Sequence, residues 1–156
     1  MRPNDWRTLK HFTPAEFDHP ERMGYEFLHW LDRLRELAQV PIHITSSYRS
    51  PEHNAAVGGA SDSAHTDTPC NAVDIGERPT ADDPNWNRAR WQIITSAIAL
   101  GCQRIGTYAD GSIHLDMTHN KRPAPRMWRT AQPLDARSVR AQELYEGWHD
   151  IQPDNE

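Results

Sequence analysis

Between Gly24 and Val40 the apolar residues Phe27, Leu28, Trp30, Leu31, Leu34, Leu37 and Ala38 recur at the spacing of a helix face. Pro41 ends that helix, because the residue before a proline avoids helical backbone. Upstream, Thr13-Pro14 with Glu16 has the form of a helix start: a capping hydroxyl, a proline in the first turn, an acid three residues on. The period then shortens. Ile42, His43, Ile44 and Thr45 alternate as a strand, and residues 50–57 predict a short helix stopped by Gly58-Gly59. Residues 58–71 and 76–87 are polar loops flanking the strand Ala72–Ile75. A second long helix is expected from Arg88 to Leu100, with Trp91, Ile94, Ala97 and Ile98 inward and Gly101 past its end. Arg104–Tyr108 and Ile113–Met117 predict a hairpin across Asp110-Gly111. Beyond Pro123 the chain is rich in Pro and Arg, with a last helix expected over Arg137–Gly147 and a frayed end, IQPDNE. Helices early and strands closing on a hairpin imply an α+β fold: a small antiparallel sheet with helices packed on one side.

Length and charge narrow the classes. The 156 residues suit one domain, 1–156. No stretch approaches the ~18 apolar residues of a spanning helix, so no membrane insertion is expected. The opening MRPNDWRTLKHF has no apolar core of a signal peptide, which predicts synthesis in a cytoplasm. Seventeen basic against 22 acidic side chains leave a net charge of -5, which argues against a nucleic-acid partner. Two cysteines allow one bridge and no disulfide framework. Nine histidines, in contrast, open the way to metal chemistry.

Three groups carry that chemistry: His65 after a Gly/Ser loop, Asp74 inside the apolar strand AVDI, and the pair His114 and Asp116 in SIHLDM. A carboxylate between Val73 and Ile75 is costly unless something pairs with it. Alternation along the strand puts His114 and Asp116 on one face, opposite Ile113, Leu115 and Met117. Two His and one Asp are zinc ligands of the right type, with a fourth position left for water. A single His or Asp in a strand is more often a satisfied structural residue, and there is no HExxH-type signature here.

The run SSYRSPEHNAAVGGASDSAHTDTPCNAVDIG, residues 46–76, and GTYADGSIHLDM, residues 106–117, resemble the zinc D-Ala-D-Ala carboxypeptidase and peptidoglycan endopeptidase family, which is related to hedgehog-type and lysostaphin-type zinc peptidase domains. The opening HFTPAEF is similar to the phage endolysin-like branch, so the resemblance covers residues 11–128 and leaves 129–156 as a C-terminal extension. It implies a hedgehog/D-Ala-D-Ala peptidase-like fold, one zinc per chain on His65, Asp74 and His114, Arg49 against the substrate, and Ser63 near the metal and substrate. Eight residues, Thr66 to Val73, separate His65 from Asp74, two more than the usual motif has. We read this as a loop insertion that keeps both ligands; Asp67 and Cys70 within it are rival ligands, with a buried thiol the alternative for Cys70. The general base is open between Asp116, on the ligand face of its strand, and Asp110, in the turn. Asp116 is preferred, with orientation of a metal-bound imidazole as its competing role. His43 and His119 are weaker candidates, and Trp128 is expected to wall the cleft.

The activity implied is hydrolysis of a peptide bond in the stem of bacterial peptidoglycan by a monomeric phage or prophage lysin. Such an enzyme is made in a host cytoplasm and reaches the wall after membrane breach. The alternatives are a zinc-binding or virion structural module without catalysis, and an amidase or dipeptidase of small molecules.

Overall fold

A computed structural model describes residues 5–76, 84–108 and 110–129. The helix expected over 137–147, the frayed end and nearly all of the C-terminal extension lie outside the described residues. Three α-helices, α1 (Tyr25–Ala38), α2 (Pro51–Ala56) and α3 (Pro84–Ala99), accompany five strands, β1 (Ile44–Ser46), β2 (Ala72–Ile75), β3 (Arg104–Thr107), β4 (Ile113–Asp116) and β5 (Arg126–Arg129). The strand order is β1-β2-β4-β3-β5. Every pair is antiparallel except β3–β5, which is parallel.

The expected α+β class is the observed one, with differences of detail. β5 falls in the Pro- and Arg-rich stretch where no strand was expected. Its four residues have only Met127 as an aliphatic anchor, so local pattern could not reveal it. α3 begins at Pro84, four residues before the expected start, since proline suits the first turn of a helix. Its buried face runs through Trp86, Arg90, Ile93, Ile94 and Ala97, and Trp91 and Ile98 flank it half-buried. In α1, Leu37 is exposed although the spacing placed it with the apolar set. Ser50 caps α2 by accepting from His53 N at 3.1 Å, with Pro51 in the first turn. Thr13 N donates to Glu16 Oε2 at 2.7 Å, so that start signal is real, but it opens only the 3-10 turn Pro14–Glu16.

Register sorts the sheet into two faces. Val73, Leu115, Ile105 and Met127 stand side by side across β2, β4, β3 and β5, as do Ile75 and Ile113. All are buried in one cluster with Phe27, Leu28, Leu31 and Leu34 of α1 and Ile93, Ile94 and Ala97 of α3. Alternation turns the intervening rows to the other face: Ala72, Asp116, Arg104, Arg126, and beside them Asp74, His114, Gly106, Trp128. No helix among the described residues is long and apolar enough to cross a membrane.

The N-terminal segment is tied down by polar contacts. Asp32 of α1 is 8% exposed and accepts from the backbone N–H of Lys10 and His11, the latter at 2.8 Å. Asp18 N donates to the buried Ser47 Oγ, which donates back to Asp18 O. Gly24 N donates to Cys70 O and Cys70 N to Arg22 O, stitching the loop before β2 to the start of α1. A Cβ on Gly24 would lie 2.0 Å from Asn71 Oδ1, so a larger residue would have to displace that side chain. Asp32→Ala strands two backbone donors and is expected to cost about 2–3 kcal/mol. The urea midpoint should fall at unchanged slope; a loss under about 0.5 kcal/mol would show that water replaces the carboxylate freely.

Candidate metal centre and cleft

His65, Asp74 and His114 meet on the polar face of the sheet. Asp74 and His114 are cross-strand neighbours on β2 and β4, and His65 comes from the 3-10 turn Ala64–Thr66. Ser63 caps that turn by accepting from His65 N at 3.3 Å. His65 Nε2 lies 3.2 Å from Asp74 Oδ1 and 3.1 Å from His114 Nδ1, and His114 Nδ1 lies 3.0 Å from Asp74 Oδ1. This is the one group of its kind among the described residues.

The far side of each ligand is held. His65 Nδ1 meets the carbonyl of Ser47 and donates to it, so its Nε2 presents a lone pair. His114 Nε2 donates to Asp116 Oδ2 at 2.8 Å, which leaves Nδ1 bare. Arg49 Nη2 donates to Asp74 Oδ2 at 2.7 Å and Nε to Ser46 Oγ at 2.9 Å, turning Oδ1 toward the two imidazoles. Three lone pairs therefore converge with no hydrogen of their own between them. They repel unless a proton or a metal ion sits among them. Two imidazole nitrogens and one carboxylate oxygen are a zinc-type donor set, and edges of 3.0–3.2 Å are close to the ~3.3 Å that bonds of ~2.0–2.1 Å give in a tetrahedron. The residues fit the metal.

With no metal ion bound, a proton takes that place. Burial opposes charge on Asp74 and on His114. The hydrogen bonds linking Asp74 to His114 and His65, and His114 to Asp116, outweigh it. The Asp74 carboxyl is held well below the ordinary range and the His114 imidazole is pushed above its own.

The two candidate bases have different surroundings. Asp116 has a fully buried side chain. It accepts from Arg104 Nε on both oxygens, from His114, and from Thr118 N and Oγ1. Burial alone would raise its pKa; the contacts with His114 and Thr118 bring it down to about 2. Asp110 is exposed on the cleft and uses Oδ1 to accept from Ser112 N and Oγ, at 2.9 and 2.6 Å.

Neither rival from the inserted loop joins the cluster. Asp67 takes a two-pronged bond from Arg122, at 2.6 and 3.1 Å. Cys70 is fully buried, its Sγ 3.5 Å from Ala72 O, and burial pushes the thiol up to about 12. His43 and His119 are also outside the cluster.

The cluster lies in a cleft of about 640 Å³ whose lining includes Arg49, Ser63, Tyr108, Asp110, Arg122, Arg126 and Trp128. Trp128 occupies the expected wall. Its indole lies over Gly106, where a Cβ would approach within 2.7 Å, and its ring centroid is 5.3 Å from that of His114. Arg104 stacks on the other part of the indole at 5.2 Å. Sequence reasoning missed Arg104, Gly106 and Tyr108. The signal for the first two was alternation across Ile105, which puts both on one face; Tyr108 carried none. Burial raises the Tyr108 pKa, so the phenol stays protonated.

Comparison with curated proteins returns no match. The sequence model of the family described as Peptidase M15 matches residues 10–116, from the backbone that Asp32 anchors to the carboxylate beneath His114. With more than two thirds of the sequence inside that match, and the metal cluster wholly within it, the chain belongs to the peptidase M15 family.

Proposed function

We propose that the protein is a zinc peptidase that hydrolyses a peptide bond in the stem peptide of bacterial peptidoglycan. The observation that carries this reading is the convergence of His65 Nε2, Asp74 Oδ1 and His114 Nδ1 in an open cleft of a peptidase M15 chain. Zinc held by these atoms supplies a Lewis acid for the scissile carbonyl and for water. The chain's own residues do the rest. Arg49 keeps Asp74 in place through Nη2 and has Nη1 left for the carbonyl oxygen as charge develops there. Asp116 is the positioning group for His114, holding its tautomer from the opposite ring nitrogen, and Arg104 and Thr118 in turn hold Asp116. Every side of that carboxylate is engaged, so we assign the proton transfer to Asp110. Its Oδ2 makes no hydrogen bond among the described residues, and its place in the turn brings it to the same cleft. This differs from the sequence expectation, which preferred Asp116 for its place on the ligand face of its strand. Ser63 holds the turn that carries His65 and borders the substrate.

The likeness of residues 11–128 to the endolysin branch supports the same reading in its narrower form, a phage or prophage lysin made in the host cytoplasm and acting on the wall after membrane breach. Digestion of purified sacculi, with products read by mass spectrometry, tests the activity and identifies the bond. Soluble stem peptides are expected from the wild type, none after chelation, and recovery on adding zinc. Release that ignores chelator contradicts the reading, and so does zinc binding without any release, the mark of an inactive module.

The two carboxylates separate in a second experiment. Asp110→Asn should lower the hydrolytic rate about 10²–10⁴-fold with zinc affinity intact. Asp116→Asn should weaken zinc binding by about 10–100-fold. The opposite pattern would return the base to Asp116.

A further inference from the structure

Four arginines line the cleft, and three are engaged. Arg49 holds Asp74, Arg104 holds Asp116 and meets the Pro123 carbonyl, and Arg122 holds Asp67 and the Asp62 carbonyl. Arg126 is different. It is exposed, and no acceptor among the described residues takes a hydrogen bond from its guanidinium, although Asp62 and Asp110 line the same cleft. Its place is fixed by β5. It stands in register beside Arg104, on the same face as Trp128 and two residues before it. Trp128 itself packs over Gly106 and lies against Arg104 and His114. A flat apolar ledge thus leads away from the metal ligands and ends at an uncommitted, permanently charged fork of donors. Guanidinium matches a carboxylate in two-pronged geometry.

We propose that Trp128 and Arg126 form a subsite for a free carboxylate on the substrate, set apart from the bond that is cut. The inference rests on the peptidase reading and names the chemistry that the site selects. Arg126 and His114 are two strands apart and two residues along, about 12 Å between backbones. Extended peptide covers that in about three residues. The carboxylate recognised is therefore within about three residues of the scissile bond. The stem peptide offers it from three sources: the α-carboxylate of D-Glu, the distal carboxylate of the diamino acid, and the C-terminus. Each source is a separate arm of the test.

Calorimetric titration of the full chain under chelator, where no turnover occurs, would use a soluble stem pentapeptide and three amides, each masking one carboxylate. One amide should bind the wild type about tenfold more weakly than the parent peptide. Arg126→Gln should lose about tenfold toward the parent and be indifferent to that amide; Arg126→Lys should retain part of the selectivity. With zinc restored, the same pattern should appear in KM, with kcat within about twofold. Equal binding of all four peptides by the wild type overturns the subsite, as does an Arg126→Gln loss that is the same for every peptide, or no loss. The two readings fail separately. Arg126-dependent selectivity without hydrolysis would remove the peptidase and keep the subsite, and unselective hydrolysis by both proteins would do the reverse.

Discussion

Three lone pairs held 3.0–3.2 Å apart in a largely buried site are mutually repulsive, and the rest of the architecture exists to keep them there. Each of the three side chains is held from behind by a group at hydrogen-bond distance. Ser47 fixes the tautomer of His65, Asp116 that of His114, and Arg49 the rotamer of Asp74. Ser47 is in turn fixed by the backbone of Asp18, and Asp116 by Arg104 and Thr118. The chain therefore commits buried hydrogen bonds to an arrangement whose donor set suits a metal ion. The N-terminal segment, remote from the cleft in sequence, thus braces the first histidine through Asp18 and Ser47.

The sheet makes this possible by register. One residue of slip between β2 and β4 would carry Asp74 or His114 to the core side and Val73 or Leu115 into the cleft. Burial of Val73, Leu115, Ile105 and Met127 against α1 and α3 thus selects the register that also assembles the site. Stability and function are set by the same alternation. The longer loop between His65 and Asp74 leaves this untouched, because its excess is absorbed outside the cluster. Asp67 is drawn to Arg122, and Cys70 is stitched to Arg22 and Gly24.

Much of this was legible in the sequence. The helical period of α1, the hairpin at Asp110-Gly111 and the costly Asp74 between Val73 and Ile75 each carried a local physical signal, and they located two strands with Asp74 and His114; His65 stood out by its Gly/Ser loop, and the ligand set by resemblance. What was not legible depended on partners distant in sequence. β5 is a strand because β3 offers it an edge, and nothing in Arg126–Arg129 says so. The buried face of α3 also takes in Trp86 and Ile93, which lie outside the apolar set expected from Arg88 onward. Asp116 stands out in the sequence as an acid on the ligand face of a strand, where a carboxylate wants a partner. That inference was sound, but the partners, Arg104 and Thr118, were visible only once β3 lay beside β4.

The account stands on the claim that the converging lone pairs of His65, Asp74 and His114 hold a metal. Elemental analysis of protein purified without added metal tests it most directly, with His114→Ala alongside. One equivalent of zinc per wild-type chain, lost in the variant, is the result predicted. A well-folded wild-type chain that carries no zinc and takes none up on addition, or a variant that keeps its full equivalent, would contradict it.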